Sequence, residues 1–297
     1  MNSNRYYAVG KVHSAALLFG LVGSLSKLSG ASALTVTGGR AVTATLFLSA
    51  WALVGGQWPF ALMLGSESVW LIAAGGFLGI HWFTFFVSVE RGGVTIAALG
   101  FACFPAFVAL CEVFLDRVAM RPAEWLLISL ITIGLALVVP SYEISTATTD
   151  GLIYGILSGA CFAVMVLINR RKASAWPALQ VACGQNFVAA VMTLPPAVHA
   201  LAGLSISAWC WIIALGVLCT GLAHVLLIGG LGFLNARSGG VILALEPVYA
   251  MAFAWIQFGQ VPTGRTVTGM IMVVAAVALP ECGVWIKRCR SGSRQRP

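Results

Sequence analysis

The sequence predicts an all-α polytopic membrane protein, with ten transmembrane helices arranged as two inverted five-helix repeats. Hydrophobic residues make up 60% of the 297 residues and charged residues only 9%, whereas soluble domains carry about 25% charged residues. Apolar runs recur about every 30 residues, which is the length of a spanning helix with its loop. Several prolines of the first half have a counterpart about 140 residues later in the chain. Composition and spacing together exclude an ordinary water-soluble protein.

Ten apolar runs define the predicted helices. Their approximate limits are 12–29, 33–55, 69–89, 93–115, 123–140, 151–169, 178–200, 207–229, 237–258 and 265–286. Lipid cannot hydrogen-bond to exposed backbone groups, so each run must form a helix or a strand of a closed barrel. The runs are continuously apolar and do not alternate with polar residues, which favours helices.

Charged residues and prolines mark the ends of the first five predicted helices. The first run follows the basic residue Lys11, as the apolar part of a signal peptide would. It continues to Lys27, however, without an Ala-x-Ala cleavage site. We therefore expect it to be retained as the first membrane helix. Glu90 and Arg91 separate the third run from the fourth, and Pro122 opens the fifth, because proline is tolerated in the first turn of a helix.

The second five helices are bounded in the same way. The sixth run lies between Asp150 and Arg170, and Pro177 precedes the seventh. Arg237 stands at the start of the ninth run and Arg265 at the start of the tenth. Charges therefore gather at helix ends, where water and lipid headgroups can solvate them.

Basic residues predict the orientation of the chain. With a cytoplasmic N-terminus and ten crossings, 13 of the 17 Lys and Arg residues lie inside, whereas Lys27, Arg91 and Arg265 lie outside. Lys and Arg are enriched in cytoplasmic loops, so both termini are expected in the cytoplasm. Segment 287–297 is then a basic cytoplasmic tail attracted to anionic lipid of the bilayer, and we expect no nucleic-acid partner.

Internal symmetry predicts two related halves. Pro105 and Pro247 differ by 142 positions, Pro122 and Pro262 differ by 140, and the text FPAFVALCEVFL is echoed by EPVYAMAFAWIQF. The predicted repeats are 1–145 and 146–286. Because each holds an odd number of helices, the second enters the membrane from the opposite side. Inverted repeats are typical of secondary transporters.

Three segments resemble the drug/metabolite transporter superfamily, specifically its ten-helix EamA-type members. They are GGRAVTATLFL in the second helix, FPAFVALCE in the fourth and ALEPVYAMAFAWIQFGQVPT in the ninth. The resemblance spans essentially the whole chain. It implies a bacterial inner-membrane carrier with a central cavity, usually exporting amino acids or other small metabolites. The sequence departs from the family pattern at Gln260 and Asp116, so no carboxylate role is carried over to those positions.

Ionisable residues inside apolar runs mark candidate sites, because they are costly in lipid and usually face a cavity or a partner. Glu246 precedes Pro247 in the ninth helix, and Tyr249 follows on the same helical face. The proline removes a backbone donor and predicts a kink that opens polar backbone. Glu246 is a candidate for binding an ammonium group or a coupling proton; the alternative is a structural carboxylate paired with a neighbouring helix.

Two histidines occupy roughly equivalent positions of the two halves. His81, followed by Trp82, lies in the third helix, and His224 lies in the eighth. Imidazoles can relay protons near neutral pH, and the aromatic neighbour suits a planar or amphipathic ligand. The alternative is that both side chains only hydrogen-bond neighbouring helices.

The second and seventh helices carry the remaining candidates. Arg40 lies in the second helix, and Gln185 with Asn186 lies at the equivalent place in the seventh. Arg40 is expected either to attract an anionic group of the substrate or to form a structural or gating ion pair with Glu112. Losing one partner of a buried pair strands a charge.

These observations predict an inner-membrane secondary transporter that moves a small polar or amphipathic metabolite outward by alternating access. The third, fourth, eighth and ninth helices are expected to line the cavity. A non-transporting intramembrane enzyme or scaffold is the alternative class, and within transport a passive uniporter competes with a proton-coupled carrier. No catalytic, cofactor or metal motif is recognised, and the chain is compatible with a monomer.

Overall fold

The computed structural model describes residues 2–101, 103–117, 122–138, 146–172, 176–234 and 236–259, and short pieces between 261 and 275. The helices are α1 (Asn2–Gly20), α2 (Val22–Ser29), α3 (Ala33–Val54), α4 (Ser68–Phe101), α5 (Phe104–Asp116), α6 (Pro122–Val138), α7 (Thr146–Lys172), α8 (Ala178–Ala202), α9 (Ile206–Gly216), α10 (Ala223–Leu231), α11 (Ala236–Leu243) and α12 (Glu246–Phe258). A 3₁₀ turn, Ala61–Leu64, precedes α4, and a π-helical segment, Val217–Leu222, joins α9 to α10.

Within these residues, six helical stretches are long and apolar enough to cross a membrane. They are Asn4–Ser29, Ser68–Gly92, Thr149–Lys172, Ala178–Ala202, Ile206–Leu231 and Ser238–Gln257. The prediction of an all-helical, multi-pass membrane protein is therefore confirmed. Most of the tenth predicted helix, 265–286, and the whole tail, 287–297, lie outside the described residues.

Helix α4 is not a straight rod. A Cβ built on Gly155 of α7 would lie 3.1 Å from Ser88 Oγ and 3.0 Å from Gly100 Cα. Ser88 and Gly100 therefore lie close together, whereas residues twelve apart in a straight helix are separated by about 18 Å. The chain must reverse between them. This reversal falls where the sequence predicts the boundary between helices 69–89 and 93–115, so a tight helical turn replaces the expected loop.

Two helices of matching length begin at a proline and end in a left-handed residue. Helix α5 carries Pro105 in its first turn and is followed by Arg117 at φ 52°. Helix α12 carries Pro247 in its first turn and is followed by Gly259 at φ 66°. Both have 13 residues. Proline lacks a backbone donor and crowds the carbonyl four residues earlier, and each predicted helix, 93–115 and 237–258, is broken just before its proline.

The helix contacts follow a reciprocal pattern. Helix α3 packs along α8, near the middle of the bundle. The contacts of α4 with α7 and α8 have counterparts in those of α10 with α1 and of α9 with α3. Likewise, the contact of α5 with α7 matches that of α12 with α1. Elements from both halves of the sequence therefore meet at the centre, where Phe104, Leu227 and Leu231 belong to the main buried core.

Candidate functional site

A small polar chamber lies inside the helix bundle. Its volume is about 30 Å³, which is room for roughly one water molecule. The lining residues are Phe19, Val22, Arg40, His81, Trp82, Phe85, Phe101, Phe162, His224 and Glu246. They lie on α1, α2, α3, α4, α7, α10 and α12. Segments far apart in sequence therefore build one site.

Arg40 supplies the cation of the chamber. Its side chain is almost fully buried, with 2% exposed, and its Nε donates to Thr220 Oγ1 at 3.0 Å. The guanidinium lies over the Trp82 ring, 4.3 Å from the centroid, in a cation–π contact. It also interacts electrostatically with Glu246. Within the described part of the chain Nε makes the only hydrogen bond of this side chain, so the terminal nitrogens are available to a ligand.

A π-helical segment places the partner of Arg40. Thr220 Oγ1 donates to Leu215 O at 2.9 Å, a carbonyl five residues earlier, so its lone pairs are free to accept from Arg40. Gly216 lets α9 approach α3 closely, because a Cβ there would overlap Thr43 Oγ1 and lie 2.9 Å from Arg40 O. Single π turns are frequent at functional sites, and this one fixes a buried charge.

His81 of α4 is fixed by contacts with α7. Its Nδ1 lies 2.8 Å from Ser158 Oγ and 3.2 Å from Ser158 O, and Ser158 Oγ donates to His81 O at 3.1 Å. The rings of Phe101 and Phe162 pack against the imidazole at centroid distances of 5.3 and 4.8 Å. Because aromatic rings surround the imidazole, it can form polar contacts only at its edge.

His224 is held between aromatic rings and an amide. Its ring stacks on Trp82 at a centroid distance of 5.6 Å and an interplanar angle of 17°, and Phe19 meets it edge-on at 5.6 Å. Asn186 Nδ2 lies 3.3 Å from His224 Nδ1. Trp82 therefore contacts both Arg40 and His224, and the three side chains form one group.

Behind His224, a pair of buried amides links α8 to α7. Gln185 Nε2 donates to Asn169 Oδ1, and Asn169 Nδ2 donates to Gln185 Oε1 at 3.4 Å. Both side chains are at most 1% exposed. Each amide satisfies the other, as buried polar groups require, so this pair supports the site without reaching the chamber.

A larger cavity adjoins the chamber and reaches the surface. Its volume is about 440 Å³, a size typical of small-molecule sites. It shares Phe19, Val22, Phe85, Phe101 and Glu246 with the chamber. Its far end reaches the exposed residues Lys27, Gly30 and Glu90. A small ligand that enters near Lys27 therefore meets Glu246 before it meets Arg40.

At this mouth, Glu90 also shapes the backbone. Its Oε1 accepts a hydrogen bond from Ala33 N at 2.7 Å, which satisfies one of the orphan donors at the start of α3. Ser32 caps the same helix through Thr35 N at 3.4 Å. Glu90 thus joins the start of α3 to the part of α4 that precedes its reversal, beside the entrance of the cavity.

Five of the nine side chains predicted as site residues meet in the chamber: Arg40, His81, Trp82, His224 and Glu246. Asn186 and Gln185 lie one layer behind. Tyr249 instead packs against α1, where a Cβ on Gly20 would lie 2.6 Å from Tyr249 Cβ. Glu112 is half-buried on α5 and is not among the described lining residues.

The cavity involves more helices than the sequence predicts. We expected the third, fourth, eighth and ninth helices to line it, but Phe19 of α1, Arg40 of α3 and Phe162 of α7 also do so. The partners Ser158 and Thr220 were not among the predicted site residues. Small hydroxyl residues are common in membrane helices as packing elements, so neither carries a distinctive signal in the sequence.

Together with the adjoining cavity, the chamber suits a small molecule that carries both charges. It offers a buried guanidinium, two buried imidazoles, an aromatic wall and the half-buried carboxylate of Glu246. Charge-assisted hydrogen bonds to such groups are about twice as strong as neutral ones. The described residues contain no group of three or more potential metal-ligating side chains.

Comparison with known proteins identifies one family. Residues 9–139 and 149–280 each match the EamA-like transporter family, so the family pattern occurs twice along the chain. The two matched segments cover nearly the whole sequence, and each lies within one of the predicted halves.

Similar proteins carry transporter names. The uncharacterized transporter YxxF of Bacillus subtilis is 27% identical, over 92% of this chain and 88% of that protein. An uncharacterized transporter of Archaeoglobus fulgidus is 26% identical, over 92% of this chain and 96% of that protein. The threonine/homoserine exporter RhtA of Salmonella typhimurium is 29% identical, over 86% of this chain and 83% of that protein.

A solved crystal structure shares the fold. It superposes with a TM-score of 0.77 at 20% sequence identity, covering 91% of this chain and 96% of the other. The helical arrangement is therefore one already found in another protein.

Proposed function

The chain belongs to the EamA-like transporter family, and on that premise we propose that it is an inner-membrane secondary transporter that exports small metabolites such as amino acids. The family assignment makes it a membrane transporter rather than an enzyme. The exported class rests on one observation: a buried guanidinium and a half-buried carboxylate line the same chamber. An amino acid carries a complementary carboxylate and ammonium group, and the similarity to RhtA points to the same class.

The proposed mechanism is alternating access between two inverted five-helix repeats, 1–145 and 146–286. Three observations support it. The family pattern matches once in each half. Helices α5 and α12 share a proline start, a length and a left-handed end at an offset of 142. The helix contacts are reciprocal between the halves. Rocking one half against the other would expose the central chamber to each side in turn.

The proposed topology has both termini in the cytoplasm. In this orientation the mouth beside Lys27 and Glu90 faces the outside, and the described conformation is open outward. Two ion pairs between the halves agree with it. Arg91 pairs with Asp150 at 3.0 Å at the predicted outer end, and Lys172 pairs with Glu67 at the predicted inner end.

Reconstitution in liposomes tests transport directly. Vesicles loaded with radiolabelled L-threonine, homoserine, other amino acids and unrelated metabolites should release at least one amino acid faster than protein-free vesicles. Arg40→Gln should abolish that release while the variant remains folded, and Lys27→Gln at the mouth should retain most of it. The proposal is wrong if folded wild-type protein moves nothing in the panel.

The same vesicles distinguish a proton-coupled carrier from a passive uniporter. Glu246→Gln and His81→Ala, alone and combined, remove the two groups of the chamber best placed to exchange a proton with a ligand. A coupled carrier should lose the pH dependence of its flux in these variants. Unchanged flux-versus-pH curves would exclude coupling through either residue and favour passive uniport.

Cross-linking tests the rocking motion. In a cysteine-free background, the pair Arg91→Cys and Asp150→Cys can be joined by a short thiol cross-linker at the outer end, because the native side chains touch. Flux should stop when the halves are joined and return after reduction. Full flux in the cross-linked protein contradicts alternating access by movement of the halves.

A further inference from the structure

The amide of Asn186 fixes the proton position on His224. Asn186 Nδ2 donates to Ala182 O at 2.8 Å, and a carbonyl oxygen can only accept, so the nitrogen side of the amide must face that way. The same Nδ2 lies 3.3 Å from His224 Nδ1. An amide NH₂ only donates, so Nδ1 accepts and carries no proton. The ring proton of His224 therefore sits on Nε2.

Ser158 fixes the opposite tautomer of His81. Nδ1 of His81 lies 3.2 Å from Ser158 O, a carbonyl oxygen that can only accept, so Nδ1 must donate. Ser158 Oγ, 2.8 Å from Nδ1, accepts as well when its own hydrogen is donated to His81 O at 3.1 Å. The ring proton of His81 therefore sits on Nδ1, and Nε2 is a bare acceptor.

Both rings present the remaining nitrogen to the same chamber. His81 and His224 line it together, and neither Nε2 has a hydrogen-bond partner among the described residues. Buried polar atoms are normally paired, so a group that enters the chamber should complete both bonds. At His224 that group must accept a hydrogen bond, and at His81 it must donate one.

The two histidines have different neighbours in the chamber. Arg40 and His224 both contact Trp82, so the guanidinium and the Nε2–H of His224 are donors of one cluster. His81 packs against different rings, Phe101 and Phe162. The chamber thus offers both donors and an acceptor, although the two histidines occupy related positions of the predicted repeats.

We propose that Asn186 and Ser158 are positioning residues that hold His224 and His81 in opposite tautomers, so that a molecule in the adjoining cavity places its carboxylate towards Arg40 and His224 and its ammonium or hydroxyl donor towards His81 and Glu246. This inference rests on the proposed binding of a small metabolite. Two buried side chains that do not line the cavity thereby determine how a ligand is oriented within it.

Nitrogen NMR tests the assignment without any transport measurement. The chain has four histidines, so ¹⁵N-histidine labelling of the wild-type protein in detergent gives a simple spectrum. His224→Gln and His81→Gln assign the two buried rings. We expect the Nε2-protonated pattern for His224 and the Nδ1-protonated pattern for His81. The same tautomer in both rings, or an imidazolium at either, overturns the proposal.

Two variants sharpen the test. Asn186→Asp replaces the donor with a carboxylate that only accepts, so Nδ1 of His224 must gain a proton and its pattern must change. Gln185→Glu makes the same change at the neighbouring amide, which contacts Asn169 rather than a histidine, and should leave His224 unchanged. A His224 pattern that ignores Asn186→Asp in folded protein, or follows Gln185→Glu instead, contradicts the positioning role.

Ligand binding is tested with L-threonine as the probe. Addition of L-threonine should shift the Nε2 signals of both histidines, and Asn186→Asp should raise the half-saturating concentration about tenfold, the loss expected for one hydrogen bond to a charged group. Shifts in neither ring, at concentrations that saturate efflux, overturn the ligand orientation. A protein that shows the predicted tautomers but transports no amino acid would refute the proposed function alone.

Discussion

Single residues of the chamber are each held by a partner from a different helix. Arg40 of α3 donates to Thr220 of the π-helical segment, and His81 of α4 contacts Ser158 of α7. These contacts join residues 180 and 77 positions apart in sequence. A charged side chain that is both buried and fixed presents its free atoms in one geometry, which favours selective binding over loose attraction.

Removing the hydroxyl partner of Arg40 should weaken the site. Thr220→Val keeps the shape of the side chain but leaves the buried Nε donor unpaired, which costs about 1.5–3 kcal/mol for a charged group. We expect roughly a tenfold or greater rise in the half-saturating concentration for export, with a lower melting temperature in detergent.

Thr220→Ser is the matched control, because it keeps the oxygen that accepts from Arg40 and donates to Leu215 O. It should behave nearly like the wild-type protein in both assays. Equal behaviour of the Val and Ser variants would show that the Nε bond does not set the geometry of Arg40.

At the scale of helices, close packing depends on where small residues lie. A Cβ on Gly75 of α4 would lie 2.7 Å from Val188 Cβ and 2.9 Å from Gln185 O, whereas a Cβ on the neighbouring Gly76 meets nothing within 4 Å. Both glycines stand in the same apolar run of the sequence. Of these two glycines, Gly75 is therefore the one that allows α4 to approach α8.

This pair of glycines gives opposite expectations for one substitution. Gly75→Ala should destabilise the protein by about 1–3 kcal/mol, because the backbone of α8 must move. Gly76→Ala should be neutral or stabilising by up to about 1 kcal/mol, because alanine is the better helix former. Melting temperatures in one detergent measure the difference. Similar losses for both variants would contradict the described α4–α8 contact.

On the scale of the whole molecule, charge marks the two ends of the bundle. The Arg91–Asp150 pair lies at one end, near the mouth residue Glu90, and the Lys172–Glu67 pair lies at the other. Both pairs join the first half of the chain to the second. Their side chains are partly exposed, so the two pairs contribute little stability themselves.

Labelling of single cysteines should reveal the orientation. In a background without the eight native cysteines, Asp150→Cys should react with a membrane-impermeant maleimide in intact spheroplasts. Glu67→Cys should react only after the membrane is permeabilised. The reverse pattern would place the termini outside and turn the proposed outward-open mouth to the cytoplasm.

Much of the fold could be predicted because membrane insertion is a local property. The apolar runs and their charged limits indicate helices one segment at a time, and the described helices follow them closely. The sequence predicts separate helices 69–89 and 93–115, whereas the structure has one helix, α4, that reverses direction between Ser88 and Gly100. A loop and a tight helical reversal both need only an interruption of the apolar run, so the sequence could not distinguish them.

The site could be predicted in part, for a physical reason. A charge in lipid is costly wherever the helix packs, so Arg40, His81, His224 and Glu246 were evident from the sequence alone. Which side chains meet depends on how each helix is rotated against its neighbours. Tyr249, three residues after Glu246, packs against Gly20 of α1 and is not among the described lining residues of the chamber.

The sequence by itself therefore determined the class of protein, the approximate helices, the family resemblance and the ionisable residues that need a partner. The tertiary structure decided that Ser158 and Thr220 are partners of His81 and Arg40, that α1, α3 and α7 help to line the chamber, and that a larger cavity beside it reaches the surface. Hydropathy and charge are properties of a segment. Hydrogen bonds and cavities arise between segments, and only packing brings those segments together.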